Sequence, residues 1–223
     1  MTLLKEAARL LARGCFFAFG RWEVVGKEGV PPRGRLLVVA NHQANADPPV
    51  LLAALPRLPW FLAKEGLFIN APVAAVLRAL GGHPLAEGGP DARALRWALR
   101  KLREDEVLVV FPEGTRNPGS MRRAQNGVAY LALRSQATIL PVGITGTERI
   151  PGFWRVAFPF CHIKVNIGQP FSLPVMEGKL DDALLDSFTE FIMGRVAALL
   201  PPQYRGVYAT IPSQPLPPSG RPS

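Results

Sequence analysis

The segment LLVVANHQANADPPV, residues 36–50, breaks from a run of Leu and Val into polar side chains that include His42 and, five positions on, Asp47. That spacing has a chemical use. Once the chain turns after His42, a carboxylate at position 47 can reach back to one imidazole nitrogen, fix the tautomer and leave the other nitrogen as a base. A solitary histidine at a strand end is more often structural than catalytic, and Asp47 alone shifts that balance only modestly. The other two histidines have ordinary explanations: His83 falls in a Gly-Gly-x-Pro turn, and His162 is the outward member of a strand. A second apolar run, VLVV, ends in FPEGTR, residues 111–116. Gly114 permits a tight turn, and Arg116 offers a planar fork suited to phosphate or carboxylate. Taken alone, a surface turn with a salt bridge explains the same letters.

No side-chain nucleophile accompanies the His/Asp pair. There is no GxSxG elbow, and neither Cys15 nor Cys161 lies in a polar Cys/His context. The pair Gly26-Lys27 lacks both the leading Gly and the following Ser or Thr of a phosphate loop. A base without a nucleophile points to direct attack by a substrate hydroxyl, with His42 taking its proton.

These residues need a frame that brings two strand ends together. LLVVA and VLVVF read as continuous apolar strands, with further strands at RWEVVG, WFLA, TILPVG and HIKVNIG. Helices are expected after Pro48-Pro49 and at APVAAVLRALGG, PDARALRWALRKLRE, NGVAYLALRSQ and LDDALLDSFTEFIMGRVAALL. Apolar strands alternating with helices predict an α/β fold, a mostly parallel central sheet flanked by helices. In such sheets ligands bind beyond the carboxyl ends of the strands, where both polar motifs fall.

At the N-terminus, TLLKEAARLLARGCFFAFG predicts an amphipathic helix over residues 1–20. Leu3, Leu4, Ala7, Leu10, Leu11 and Phe17 recur at helical spacing, and Lys5, Arg9 and Arg13 form a basic face. The helix either docks on the core with a solvated basic stripe or lies in a membrane interface with its cations among headgroups. Residues 1–35 carry seven basic and three acidic side chains, which favours the membrane.

The whole chain of 223 residues holds 26 Lys and Arg against 17 Asp and Glu, net +9, an excess that favours anionic partners. Its length suits one domain. The two cysteines have no zinc or disulfide spacing and fit a reduced cytoplasmic setting. No apolar window of 18 residues is present, and the segment 206–223, rich in Pro, is expected to be a disordered tail.

NHQANAD followed some 70 residues later by FPEGTR resembles the glycerophospholipid acyltransferase family, especially 1-acylglycerol-3-phosphate acyltransferases. Asn41, His42 and Asp47 match its NHxxxxD box, and Phe111 to Arg116 match its FPEGTR box letter for letter. ATILPVGITG, with Pro141, is similar to a further block. The resemblance implies an acyltransferase domain over residues 1–205, with His42 as general base and Asp47 supporting it. It implies that Glu113, Gly114, Thr115 and Arg116 engage the acceptor phosphate, and it marks Asn41 and Pro141 as further substrate-binding positions. It also implies an acyl-CoA or acyl-carrier-protein donor, a lysophospholipid acceptor, no cofactor or metal, and a peripheral place at the cytoplasmic face of an anionic membrane.

One block departs. Glu87 stands where family members commonly carry a phosphate-binding Arg, leaving Arg78 or Arg93 as substitutes, or a different acceptor lipid. Arg122 and Arg123 similarly stand near a position that often holds Lys-Gly. A non-enzymatic, basic membrane- or nucleic-acid-binding protein is the alternative from another class. Its basic faces lack the aromatic interleaving that nucleic-acid binding would require, so no nucleic acid is expected.

Overall fold

The strongly apolar strands are apolar because both of their faces are covered. In chain order the elements are α1 (Thr2–Phe19), β1 (Arg21–Val25), β2 (Leu36–Ala40), α2 (Asp47–Ala54), β3 (Pro59–Lys64), α3 (Ala71–Ala79) and β4 (Gly82–Leu85). There follow α4 (Ala92–Arg103), β5 (Val107–Val110), α5 (Gly127–Ser135), β6 (Thr138–Thr145), β7 (His162–Ile167) and α6 (Asp182–Ala197). The structure, a computed structural model, describes residues 2–86, 91–150, 152–176, 178 and 180–210. Glu87 and the last 13 residues, 211–223, therefore lie outside the described residues.

The strands form one seven-stranded sheet in the order β1-β7-β6-β2-β5-β3-β4. All neighbouring pairs are parallel except β6 and β7, so β1 and β7 run against the other five. Along β2, Leu36, Val38 and Ala40 face a core shared with α1 and α2, whereas Leu37 and Val39 face α4, α5 and α6. This two-sided burial produces an unbroken LLVVA rather than an alternating pattern. Register places Val39 opposite both Val110 and Pro141, so β2 and β5 end side by side while β6 runs on past them to Thr145.

Three sequence expectations change. His83 lies within β4, stacked on Trp97 of α4 at 4.1 Å and nearly coplanar, rather than in a turn. Tyr208, assigned to the tail, is buried in the core, and its hydroxyl accepts the Ala124 N–H at 2.9 Å. The basic stripe of α1 points inward. Lys5 Nζ donates to Pro59 O at 3.3 Å, Arg9 to Pro56 O at 3.0 Å and Arg13 to Ala53 O at 2.7 Å.

The carbonyls of Ala53 and Pro56 sit at and just beyond the C-terminal end of α2, where the helix dipole and unpaired acceptors favour cations, and that of Pro59 opens β3. Phe16 is fully buried, while the other large apolar residues of α1 face outward: Leu3 is 87% exposed, Leu11 70% and Phe17 84%. Among the described residues no helix is long and apolar enough to cross a membrane.

Candidate active site

β2 delivers Asn41 and His42 at its C-terminal end, and the chain then turns into α2, whose first residue is Asp47. The turn brings the two side chains together, with His42 Nδ1 2.7 Å from Asp47 Oδ2. Asp47 is fully buried, and its Oδ2 also accepts the backbone N–H groups of Gln43 at 2.6 Å and Ala44 at 2.9 Å. An oxygen holding those two donors accepts rather than donates, so the proton of the third bond sits on His42 Nδ1. His42 Nε2 is thereby left as the acceptor, without a partner among the described residues. Phe111 stacks on the imidazole at 4.3 Å and 21°, covering one face of the ring.

FPEGTR follows β5 as a tight turn in which Gly114 N–H donates to Phe111 O at 3.1 Å. Gly114 has φ +66°, a left-handed conformation in which any other side chain is strained. The turn is laced to the His42 loop. Glu113 Oε1 accepts His42 N–H at 2.9 Å, Asn117 N–H donates to His42 O at 2.7 Å, and Gly119 N–H donates to Gln43 Oε1 at 2.6 Å. Glu113 Oε2 accepts from Asn117 Nδ2 at 2.6 Å and Arg122 N–H at 2.8 Å. Burial pushes the Glu113 carboxyl above its ordinary range, and these donors oppose the shift.

The residues expected at the substrate thus divide. His42, Thr115 and Arg116 retain access to solvent, and Arg116 is exposed with no hydrogen bond or ion pair to another described residue. Asn41, Glu113 and Pro141, expected to bind substrate, are buried instead. Asn41 brackets one residue of β6, donating to Ile144 O at 2.9 Å and accepting Ile144 N–H at 2.7 Å. Pro141 lies inside β6, opposite Val39. Gln43, Asn117 and Thr147 belong to the site but escape the motif reading. Thr147 Oγ1 reaches Asp47 Oδ1 at 2.6 Å.

His42 and Asp47 thus meet at the carboxyl ends of apolar parallel strands, the place where sheets of this kind bind ligands. The profile of the family described as Acyltransferase matches residues 21–145, and the chain belongs to this family. It is a lysophosphatidate acyltransferase-like enzyme by its relatives. It is 24% identical over 152 residues to the 1-acyl-sn-glycerol-3-phosphate acyltransferase of Bacillus subtilis, covering 68% of this chain and 74% of that one. A protein of the same description from Borreliella burgdorferi is 30% identical over 130 residues, 56% of this chain and 51% of that protein. The crystal structure of the 1-acyl-sn-glycerophosphate acyltransferase of Thermotoga maritima matches with a TM-score of 0.68 at 28% identity, covering 87% of this chain and 78% of that one. The matched region thus spans about half of the Borreliella relative and a larger share of the other two.

Proposed function

We propose that the protein transfers a fatty acyl group from an acyl thioester, of CoA or carrier protein, to the free hydroxyl of lysophosphatidate. The observation that carries this reading is the 2.7 Å His42–Asp47 contact, which engages Nδ1 and leaves Nε2 without a partner among the described residues. Nε2 takes the hydroxyl proton as the oxygen attacks the thioester carbonyl. The tetrahedral intermediate then collapses, releasing the thiolate, which is protonated to the free thiol. No covalent enzyme intermediate is needed. General-base assistance supplies roughly 10²- to 10⁴-fold, and positioning of the two substrates supplies much of the remainder. Arg116, exposed on the turn beside this pair, is the cation offered to the acceptor phosphate, with Thr115 and the backbone of Gly114 alongside it.

We further infer that α1 rests on the cytoplasmic surface of a membrane through its outward apolar face, in support of a lipid acceptor. The test is acyl transfer from labelled acyl-CoA and from acyl-carrier protein to a panel of lysolipids, run beside His42→Ala. Transfer to lysophosphatidate that falls at least ~10²-fold in folded His42→Ala is expected. Near-normal turnover by that variant refutes the base assignment, and transfer only to lysolipids without a glycerol phosphate reassigns the acceptor.

A further inference from the structure

Asp47 is held unequally at its two oxygens. Oδ2 is surrounded by three donors from its own loop, His42 Nδ1 and the N–H groups of Gln43 and Ala44. Oδ1 has a single partner among the described residues, the Thr147 hydroxyl, 100 positions away and itself fully buried. A carboxylate that pivots about its Cβ–Cγ bond exchanges its oxygens. Only a donor at Oδ1 opposes that pivot from outside the loop.

The backbone carrying Thr147 is fixed with corresponding care. Asn41, the residue preceding the base, clamps the N–H and C=O of Ile144 at the end of β6. Gly146 follows at φ +91° so close to β7 that a Cβ there would lie 1.8 Å from His162 O. Its N–H is held by Glu148 Oε2 at 2.8 Å, and a single-turn 3-10 helix begins at Thr147. Thr147 is therefore presented to Asp47 from a rigid segment, and its hydroxyl donates, since the carboxylate only accepts.

We propose that Thr147 is a positioning residue for acyl transfer: its hydrogen bond to Asp47 Oδ1 sets the carboxylate plane that orients the His42 imidazole. The inference rests on His42 acting as the base. It adds the end of a third strand, β6, to the two that carry the motifs.

The experiment compares Thr147→Val, Thr147→Ser and His42→Ala for acyl transfer to lysophosphatidate across a pH series, with thermal melting of each. Thr147→Val, isosteric but without the donor, is expected to lower kcat roughly 10- to 100-fold with little change in either KM. Its kcat/KM profile against pH should also differ from that of the wild type, because the carboxylate facing the imidazole has lost a donor. Thr147→Ser should restore both the rate and the profile. If Thr147→Val fails to fold, Thr147→Ala against Thr147→Ser asks the same question, since the hydroxyl alone separates them. Wild-type kcat and profile in a folded variant without the hydroxyl, or a Ser variant as impaired as the Ala variant, overturns the inference while an inactive His42→Ala leaves the base assignment standing. Full activity in His42→Ala removes both.

Discussion

Glu113 holds the backbone N–H of His42 at 2.9 Å across 71 residues of sequence, tying the loop after β5 to the loop after β2. Its side chain accepts three N–H bonds, from His42, Asn117 and Arg122, and in that role it is a strut rather than a ligand. Glu113→Gln replaces one acceptor oxygen with an NH₂ group that must face at least one of those donors. The expected result is a loss of about 1–3 kcal/mol of stability together with reduced kcat. Urea denaturation with parallel activity measurements reads both. Unchanged stability would mean that the loops do not depend on this carboxylate.

Arg116 presents the opposite case, a cation on the same turn that serves no internal contact among the described residues. Arg116→Ala is expected to raise the KM for lysophosphatidate about 10- to 100-fold and to leave the KM for the acyl donor alone. Arg116→Lys should recover only part of that loss, because a point charge does not reproduce the planar fork. An unaltered acceptor KM in both variants assigns the phosphate to other residues.

The inward turn of the α1 cations makes a prediction about salt. Lys5, Arg9 and Arg13 grip backbone carbonyls between the end of α2 and the start of β3, so the outer face is left with exposed Leu3, Leu4, Leu10, Leu11 and Phe17. Phe17→Asp and Leu11→Glu should each weaken binding to phosphatidylcholine vesicles by roughly an order of magnitude or more, judged from the apolar area withdrawn. Vesicle flotation should otherwise change little between low and high salt. Binding abolished by salt and untouched by these substitutions would contradict the apolar contact.

Lys5 provides a stability prediction with a defined sign. Burial lowers its ammonium from 10.5 to about 8; nearby Glu106 opposes the shift and Lys101 adds to it. Its charge lies 3.5 Å from the centre of the Trp60 ring, which Lys101 shares at 4.3 Å. The folded protein therefore releases this proton more readily than the unfolded chain. The resulting penalty is complete below pH 8 and is relieved as pH rises from 8 towards 10.5. Lys5→Met carries no such group. Denaturation midpoints should show wild type gaining on Lys5→Met across that interval, and parallel curves would count against the burial effect.

Strand ends were the legible part of this molecule. LLVVA and VLVVF announce buried parallel strands through composition alone, and the His42–Asp47 contact follows from a five-residue separation and one turn. Thr147 was hidden although TILPVGITGTER ends in the same manner, with a strand passing into small and polar residues. The strand-end rule that singled out His42 and FPEGTR applies equally there, and its Gly-Thr was the available signal. The part Glu113 plays in joining the two loops was hidden for a different reason. Local sequence marks a carboxylate as polar but does not record that another loop will surround it. Direction is likewise invisible in an apolar run, so neither the reversal of β7 nor the short β4 could be read from pattern.

That reversal has a consequence for what lies beside His42 and Asp47. Because β7 runs against β6, its first residues return to the catalytic end of the sheet, and β1 starts beside them. The chain joining α1 to β1 and the chain entering β7 meet there, where Phe19 packs against Phe158 at 4.8 Å and Phe160 at 5.9 Å. Phe158 is 48% exposed and Phe160 66%, so greasy rings stand at the same end of the sheet as His42 and Asp47. An acceptor held in a bilayer against those rings stays in the surface phase throughout. With the acceptor drawn from a membrane as proposed, its supply is counted in mole fraction rather than molarity, and diluting the membrane with inert lipid should slow turnover even when the total amount of acceptor is unchanged.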